Sequence, residues 1–252
     1  MRHRLILVLL SFLAGIMCHA RAIAGEVGIA VASNFAAPAK QIATAFERQT
    51  GHKALLSFGA TGQLFAQIKN GAPFDVFLSA DSQTAIQLEQ SGWAAPGTRF
   101  SYAMGRLVLW SADPSLVDDR GHVLSSDSFQ RIALANPKLA PYGVATLEVL
   151  NKLGLKDRLT PRFVEGLNVT QVHQFVATGN VPLGFVAMSQ VVENGRIKSG
   201  SAWVIPSHLH NPIQQDAVLL KKGISNQAAI AFLEFLRSDP ALSVIRAFGY
   251  LN

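Results

Sequence analysis

The stretch SFGATGQLFAQIKNGAPFDVFLSAD, Ser57 to Asp81, holds the end of one strand, a helix and a second strand. Ala54 to Phe58 is a short apolar run, broken by Gly59-Ala60-Thr61-Gly62. Gln63 to Lys69 then places Leu64, Phe65 and Ile68 on one helical face. Phe74 to Leu78 reads as the next strand, and Asp81 or Ser82 caps a helix over Ser82 to Gln90. Upstream, Val27 to Ala32 is a strand. Pro38 to Gln49 follows as a helix, with Ile42, Ala45 and Phe46 at helical spacing and Gly51 as its stop. Strand and helix alternating in this order predict a parallel sheet with helices on its faces.

The pattern then restarts. Leu107 to Trp110 and Arg131 to Ala135 read as strands, Val144 to Leu153 as a helix ending at Gly154, Val169 to Ala177 as a helix and Leu183 to Ala187 as a strand. Two C-terminal helices follow, Ala228 to Arg237 and Leu242 to Phe248, with Pro240 between them. Two α/β units predict two lobes, although no Pro/Gly/Ser-rich linker marks a boundary.

The first residues read as a leader. Arg2, His3 and Arg4 precede an apolar run from Leu5 to Met17, and Ala22-Ile23-Ala24 fits a cleavage pattern, with Ala20 and Ala22 as other cleavage points. The run is shorter than the roughly 20 residues a membrane span needs. Cys18, the one cysteine, lies in the leader behind a bulky Met17, which argues against lipid attachment; without the leader the chain has no thiol or disulfide chemistry. Of 22 basic side chains, Arg2, Arg4 and Arg21 belong to the leader, so 19 face 16 acidic ones and the net +6 falls to +3. No basic run interleaved with aromatics indicates nucleic acid. With 49% hydrophobic and 15% charged residues, the chain is a packed globular protein.

Catalytic constellations are missing from the pattern. There is no G-x-S-x-G, H-E-x-x-H or P-loop motif. His208 and His210 could share a strand face and bind a metal, but Pro206 and Pro212 bracket them and favour a loop. Asp75 and Asp81 could pair as carboxylates, yet a helix cap at Asp81 and a strand-start residue at Asp75 explain them better. Asn168-Val169-Thr170 matches a glycosylation sequon by coincidence. The informative feature lies at strand-to-helix junctions, which carry small and hydroxyl residues: Ser33-Asn34, Gly59 to Gly62, Pro141-Tyr142-Gly143 and Asn168 to Thr170. Each alone is ordinary capping. Together, at the carboxyl ends of strands, they offer helix-start N–H groups to an anion without a cationic side chain.

At this point the sequence resembles a known family, the periplasmic molybdate-binding proteins of bacterial ABC transporters. The motifs are AVASNF (Ala30 to Phe35), GAPFDVFLSAD (Gly71 to Asp81), ANPKLAPYG (Ala135 to Gly143), PLGFVAMSQ (Pro182 to Gln190) and FLEFLRSDPA (Phe232 to Ala241), in order from about Val27 to Tyr250. The resemblance implies a two-lobed α/β fold, each lobe a mostly parallel sheet flanked by helices, with the ligand in the cleft. It implies a signal peptide over residues 1–24, a first lobe over 25–104 plus 213–252, and a second over 105–212. The crossings fall near Met104-Gly105 and Pro212-Ile213, and the helices after Lys222 return to the first lobe.

The resemblance also implies a binding protein and not an enzyme, exported to the periplasm, monomeric and without a cofactor. It would take up molybdate, and tungstate with it, and hand the oxyanion to an inner-membrane ABC permease. Carried over by motif, Ser33, Asn34, Thr61, Tyr142 and Val169 hold the metal as its oxyanion, with no direct metal ligation: Ser33 and Asn34 as donors, Thr61 through hydroxyl and amide, Tyr142 and Val169 through main-chain N–H. One departure stands out. Some relatives place a tyrosine donor after the G-[IF]-V of the late strand, where this chain has Ala187; Asn34 is expected to supply the replacement. Competing readings are a receptor for another tetrahedral oxyanion such as sulfate, an exported hydrolase, and a sensor domain.

Overall fold

A computed structural model describes residues 24–193 and 195–251. The leader expected over residues 1–24, Cys18 included, lies outside them apart from Ala24.

The first sheet has five strands in the order β2-β1-β3-β12-β4: β1 (Glu26–Ala32), β2 (Lys53–Gly59), β3 (Val76–Leu78), β4 (Phe100–Gly105) and β12 (Ile213–Leu219). β1 pairs in parallel with β2 and β3, and β12 lies antiparallel between β3 and β4. The second sheet runs β11-β5-β8-β6-β7: β5 (Leu107–Ser111), β6 (Ile132–Ala135), β7 (Phe163–Gly166), β8 (Gly184–Ala187) and β11 (Ser201–Val204). Here β5 is antiparallel to both neighbours, and β6 is parallel to β7 and β8. Each sheet thus has four strands in one direction and one reversed. The reversed strands are the ones the chain enters from the other sheet: β5 directly after β4, and β12 on the way back from β11. A two-residue hairpin pair, β9 (Val192–Glu193) and β10 (Arg196–Ile197), stands apart.

The helices are α1 (Ala36–Thr50), α2 (Thr61–Lys69), α3 (Ser82–Gln90), α4 (Pro141–Lys152), α5 (Lys156–Leu159), α6 (Val169–Ala177), α7 (Met188–Val191), α8 (Gln227–Leu236) and α9 (Asp239–Ala247). Local chemistry sets their ends. Gly51 closes α1 in the left-handed conformation at φ 76°, where a side chain would be strained. Asp81 caps α3 by accepting from Thr84 N at 2.6 Å. Asn168 caps α6 by accepting from Thr170 N and Gln171 N at 3.0 and 3.1 Å, so the sequon asparagine is a structural cap.

Two proline expectations need correction. The helix expected from Val144 begins at Pro141, and the one expected from Leu242 begins at Asp239 with Pro240 in its first turn. Proline lacks an N–H that a first turn cannot use anyway, and its fixed φ suits a helix start. Tyr142 therefore lies inside the first turn of α4.

Val27, Ile29 and Val31 of β1, Phe46 of α1, and Phe232 and Leu236 of α8 pack into one apolar cluster, so the C-terminal helices cover the first sheet. A second cluster gathers β5, β6 and β8 with Val149 and Val172. Ala32 and Ala80, at the ends of first-sheet segments, belong to this second cluster, so the two bodies touch there.

Gly143 sits where α4 lies directly on the end of β6; a Cβ there would strike the Ala135 carbonyl and crowd Pro137 N at 2.9 Å. Gly143→Ala is therefore expected to cost about 1–3 kcal/mol, the range for overpacking a closed contact, read as a lower midpoint in urea unfolding with an unchanged slope.

Candidate functional site

Every strand that ends at the interface of the two bodies hands over to a helical start. β1 leads into a 3-10 turn, Ser33–Phe35, β2 into α2, β6 into α4, β7 into α6 and β8 into α7. Ser33 and Asn34 lie at the first of these turns and Thr61, Tyr142 and Val169 at the next three, while the turn before α7 holds none of them; all five residues are buried. Direct hydrogen bonds draw the turns together across the interface. Thr170 Oγ1 donates to Ser33 O at 3.3 Å, Gly62 N to Leu139 O at 2.9 Å, and Gln215 Nε2 to Tyr142 Oη at 3.2 Å.

The helix starts share a pattern of hydrogen-bond accounting. In α6, Asn168 takes the N–H groups of Thr170 and Gln171 through its side chain and that of Val172 through its carbonyl. In α4, Pro141 has no N–H, and Gly143 and Val144 both donate to Ala140 O at 2.9 and 3.3 Å. In α2, Gly62 N–H goes to Leu139 O and Leu64 N–H to Ala60 O. Among the described residues no acceptor meets the remaining N–H of Val169, Tyr142 or Thr61. Buried main-chain donors are almost always paired, so three at converging helix ends form a set aimed at an acceptor from outside the chain.

The hydroxyls fit the same picture. Thr61 Oγ1 accepts from Ala80 N at 3.1 Å, which leaves its own proton to donate. Ser33 Oγ makes no hydrogen bond to any described residue. No Lys or Arg is among the five residues. What the arrangement can hold is an acceptor-only, negatively charged group, with the positive ends of three helix dipoles behind the donors.

Asn34 behaves differently from expectation. Its Nδ2 donates to Gln215 Oε1 at 2.9 Å and to Tyr250 Oη at 3.0 Å. Both amide protons are spent inside the protein, so the side chain does not stand in for the hydroxyl missing at Ala187; what Asn34 retains for a ligand is its main-chain N–H.

Around Gln215 lies a buried polar network that the sequence reading missed. All three tyrosines of the chain join it. Tyr102 Oη donates to Gln215 Oε1 at 3.0 Å, Tyr142 Oη accepts from Gln215 Nε2, and Tyr250 Oη donates to Asn34 O at 2.8 Å. Burial pushes Tyr102 and Tyr142 well above the ordinary phenol range and Tyr250 up to about 12. The one available signal was the rarity of tyrosine itself.

Other candidates fall away. Asp75 begins the β3 segment and accepts from Gly28 N at 2.8 Å, at the opposite end of that strand from Asp81, so the two are no carboxylate pair. His208 lies in a 3-10 turn, Ser207–Leu209, while buried His210 donates from Nδ1 to Asn211 O at 2.6 Å. Among the described residues no three His, Cys, Asp or Glu side chains gather as a metal site.

Two α/β bodies joined by two crossings, with donors from both facing one interface, define a solute-binding protein of the two-lobed class. The family profile of bacterial extracellular solute-binding proteins matches residues 27–251. The molybdate-binding protein ModA of Azotobacter vinelandii is 53% identical over 227 residues, 90% of this chain and 90% of its own. ModA of Rhodobacter capsulatus is 50% identical over 231 residues, 92% of this chain and 90% of its own. The structure of the Azotobacter vinelandii periplasmic molybdate-binding protein superposes with a TM-score of 0.87 at 42% identity, covering 90% of this chain and 99% of that one. The chain belongs to the bacterial extracellular solute-binding proteins, within their molybdate-binding family, and is a binding protein and not an enzyme.

The tyrosine network predicts alkaline behaviour. The unfolded chain loses phenol protons near about pH 10, whereas the folded protein holds that of Tyr250 to about 12 and those of Tyr102 and Tyr142 beyond the ordinary range. The folded state then binds more protons, so stability falls as pH rises through that window. Tyrosinate absorbance is expected to appear together with the loss of circular dichroism and not before it.

Proposed function

We propose that this protein binds molybdate, and tungstate equally, in the periplasm and delivers it to an ABC permease of the inner membrane. The observation that carries the reading is the set of buried helix-start residues Thr61, Tyr142 and Val169, whose N–H groups meet no acceptor among the described residues while most of the other first-turn N–H groups are satisfied. Ser33, with its unpartnered hydroxyl, and Asn34, with its main-chain N–H, complete the donor set. The names of the relatives support molybdate as the ligand.

Molybdate is a tetrahedral dianion with no proton at neutral pH, so donors alone suit it. Hydrogen phosphate would bring an O–H with no acceptor to meet it, a mismatch of about 1–3 kcal/mol. Sulfate has the same charge and shape but shorter bonds, so donors placed for molybdate sit too far from its oxygens. Ser33, Asn34 and Thr61 stand on the first body and Tyr142 and Val169 on the second. Closure about the crossing strands completes the set and removes the anion from water. The closed surface is then what the permease reads.

Two outcomes are expected. Thermal unfolding of the ligand-stripped protein, with molybdate or tungstate at about 100 times its dissociation constant, should show a gain of about 2.7 kcal/mol. Sulfate and phosphate at the same concentrations should leave it unmoved. Stabilisation by sulfate alone would transfer the function to a sulfate receptor, and no response to any oxyanion would end the reading.

Val169→Pro is the sharper variant. Proline is tolerated at the first helical position, and Asn168 already has the extended backbone, φ −156° and ψ 170°, that a following proline requires. The change deletes one N–H while keeping the helix. Loss of one hydrogen bond to a charged ligand, about 1.5–3 kcal/mol, should weaken molybdate by roughly 10- to 100-fold in calorimetric titration.

A further inference from the structure

The segment PLGFVAMSQ runs β8 into α7, and Ala187 at that junction brings no donor. Two residues on, Ser189 is buried at 3% exposure, and its hydroxyl donates not toward the donor set but to the main-chain carbonyl of Asn34, at 2.7 Å. Ser189 follows a strand of the second sheet, whereas Asn34 follows β1 of the first. Tyr250 Oη meets the same carbonyl at 2.8 Å and lies 3.2 Å from Ser189 Oγ. Tyr250 belongs to the first body, in the apolar cluster with Phe35 and Val31. One carbonyl is therefore held from both sides of the interface, by Tyr250 of its own body and by Ser189 of the other.

We propose that Ser189 is a positioning residue that latches the closed state: its hydroxyl locks the Ser33–Asn34 turn in place as the lobes meet, so that the residence time of the ligand depends on a contact the ligand does not touch. This rests on the oxyanion reading above. In the open arrangement the Ser189 hydroxyl and the outer lone pair of Asn34 O are hydrated and cost nothing. In the closed one they are buried, and each satisfies the other. Bonds that share an acceptor in a buried network also polarise one another, which ties the latch to the Asn34–Gln215–Tyr142 bonds that cross the same interface.

The test compares Ser189→Ala with Tyr250→Phe in the full exported protein, by stopped-flow fluorescence with molybdate and by thermal unfolding without ligand. Ser189→Ala is expected to raise the dissociation rate roughly 5- to 20-fold, the factor for one buried hydrogen bond. The association rate, the molybdate-to-sulfate preference and the ligand-free melting temperature should stay unchanged. Tyr250→Phe, which removes two bonds to Asn34 within the first body as well as the 3.2 Å contact with Ser189 Oγ, should lower the ligand-free melting temperature. An unchanged dissociation rate in Ser189→Ala, or a ligand-free destabilisation equal to that of Tyr250→Phe, would overturn the latch. Should the parent protein itself show no molybdate response, the oxyanion reading is what fails. The latch then falls with it, whereas a molybdate response in the parent together with an unchanged dissociation rate in Ser189→Ala overturns the latch alone.

Discussion

The carboxamide of Gln215 is the contact on which the geometry of this interface depends. It is wholly buried on β12, the strand by which the chain returns to the first sheet. Its oxygen accepts from Asn34 and Tyr102, and its nitrogen donates to Tyr142 on the other body. A buried amide left half paired would cost more than its absence, so these partners hold one another in a single arrangement. Gly105, beside it on β4, has no room for a side chain: a Cβ would strike Tyr142 Oη and come within 2.7 Å of Gln215 Nε2. The crossing is thin because the network needs the space.

The strand that carries Gln215 is irregular at this point. The register of β12 against β4 shifts between Gln215 and Asp216. β12 is packed on both faces, so consecutive residues Gln215 to Leu219 are all buried, and the register shift falls between the two polar ones. Asp216, at 0% exposure, is met by Arg99 Nη1 at 2.6 Å and Ser101 Oγ at 2.7 Å, so the buried charge is paired. The two residues thus serve two networks, one facing the interface between the bodies and one locking β12 to β4.

This also explains what could be read from the residues and what could not. The β1-to-β3 units were legible because their strands are apolar runs and their helices keep a clean 3.6 period. The junctions at Ser33, Thr61, Tyr142 and Val169 were legible because small and hydroxyl residues stood where strands ended. β12, IQQDAVL, hid itself: its polar residues look like an exposed segment, and only the network shows why Gln215 and Asp216 are buried. Tyr250 was out of reach for a different reason. It is separated from Asn34 by 216 positions, and no local pattern links them. The expectation about Asn34 failed because a side chain's donors were counted without knowing what already claimed them.

The same accounting bears on why the donor set is built from main chain and hydroxyls, without a cationic side chain. A lysine or arginine in the interface would carry its own desolvation cost whenever the lobes closed without a ligand, and would attract any anion regardless of size. Helix-start N–H groups carry partial charge, and their positions are set by the strands behind them and not by a flexible stem. Selection by oxygen spacing needs that rigidity, because shape and charge are the same for molybdate and sulfate. The rigidity comes from contacts behind the donors: Gly143 packed onto Ala135, Asn168 consuming two N–H groups of α6, and the Gln215 network tying Asn34 to Tyr142 across the crossing. On the proposed reading, discrimination is therefore a property of how the two bodies meet, and substitutions in that framework will alter selectivity even where no donor is lost.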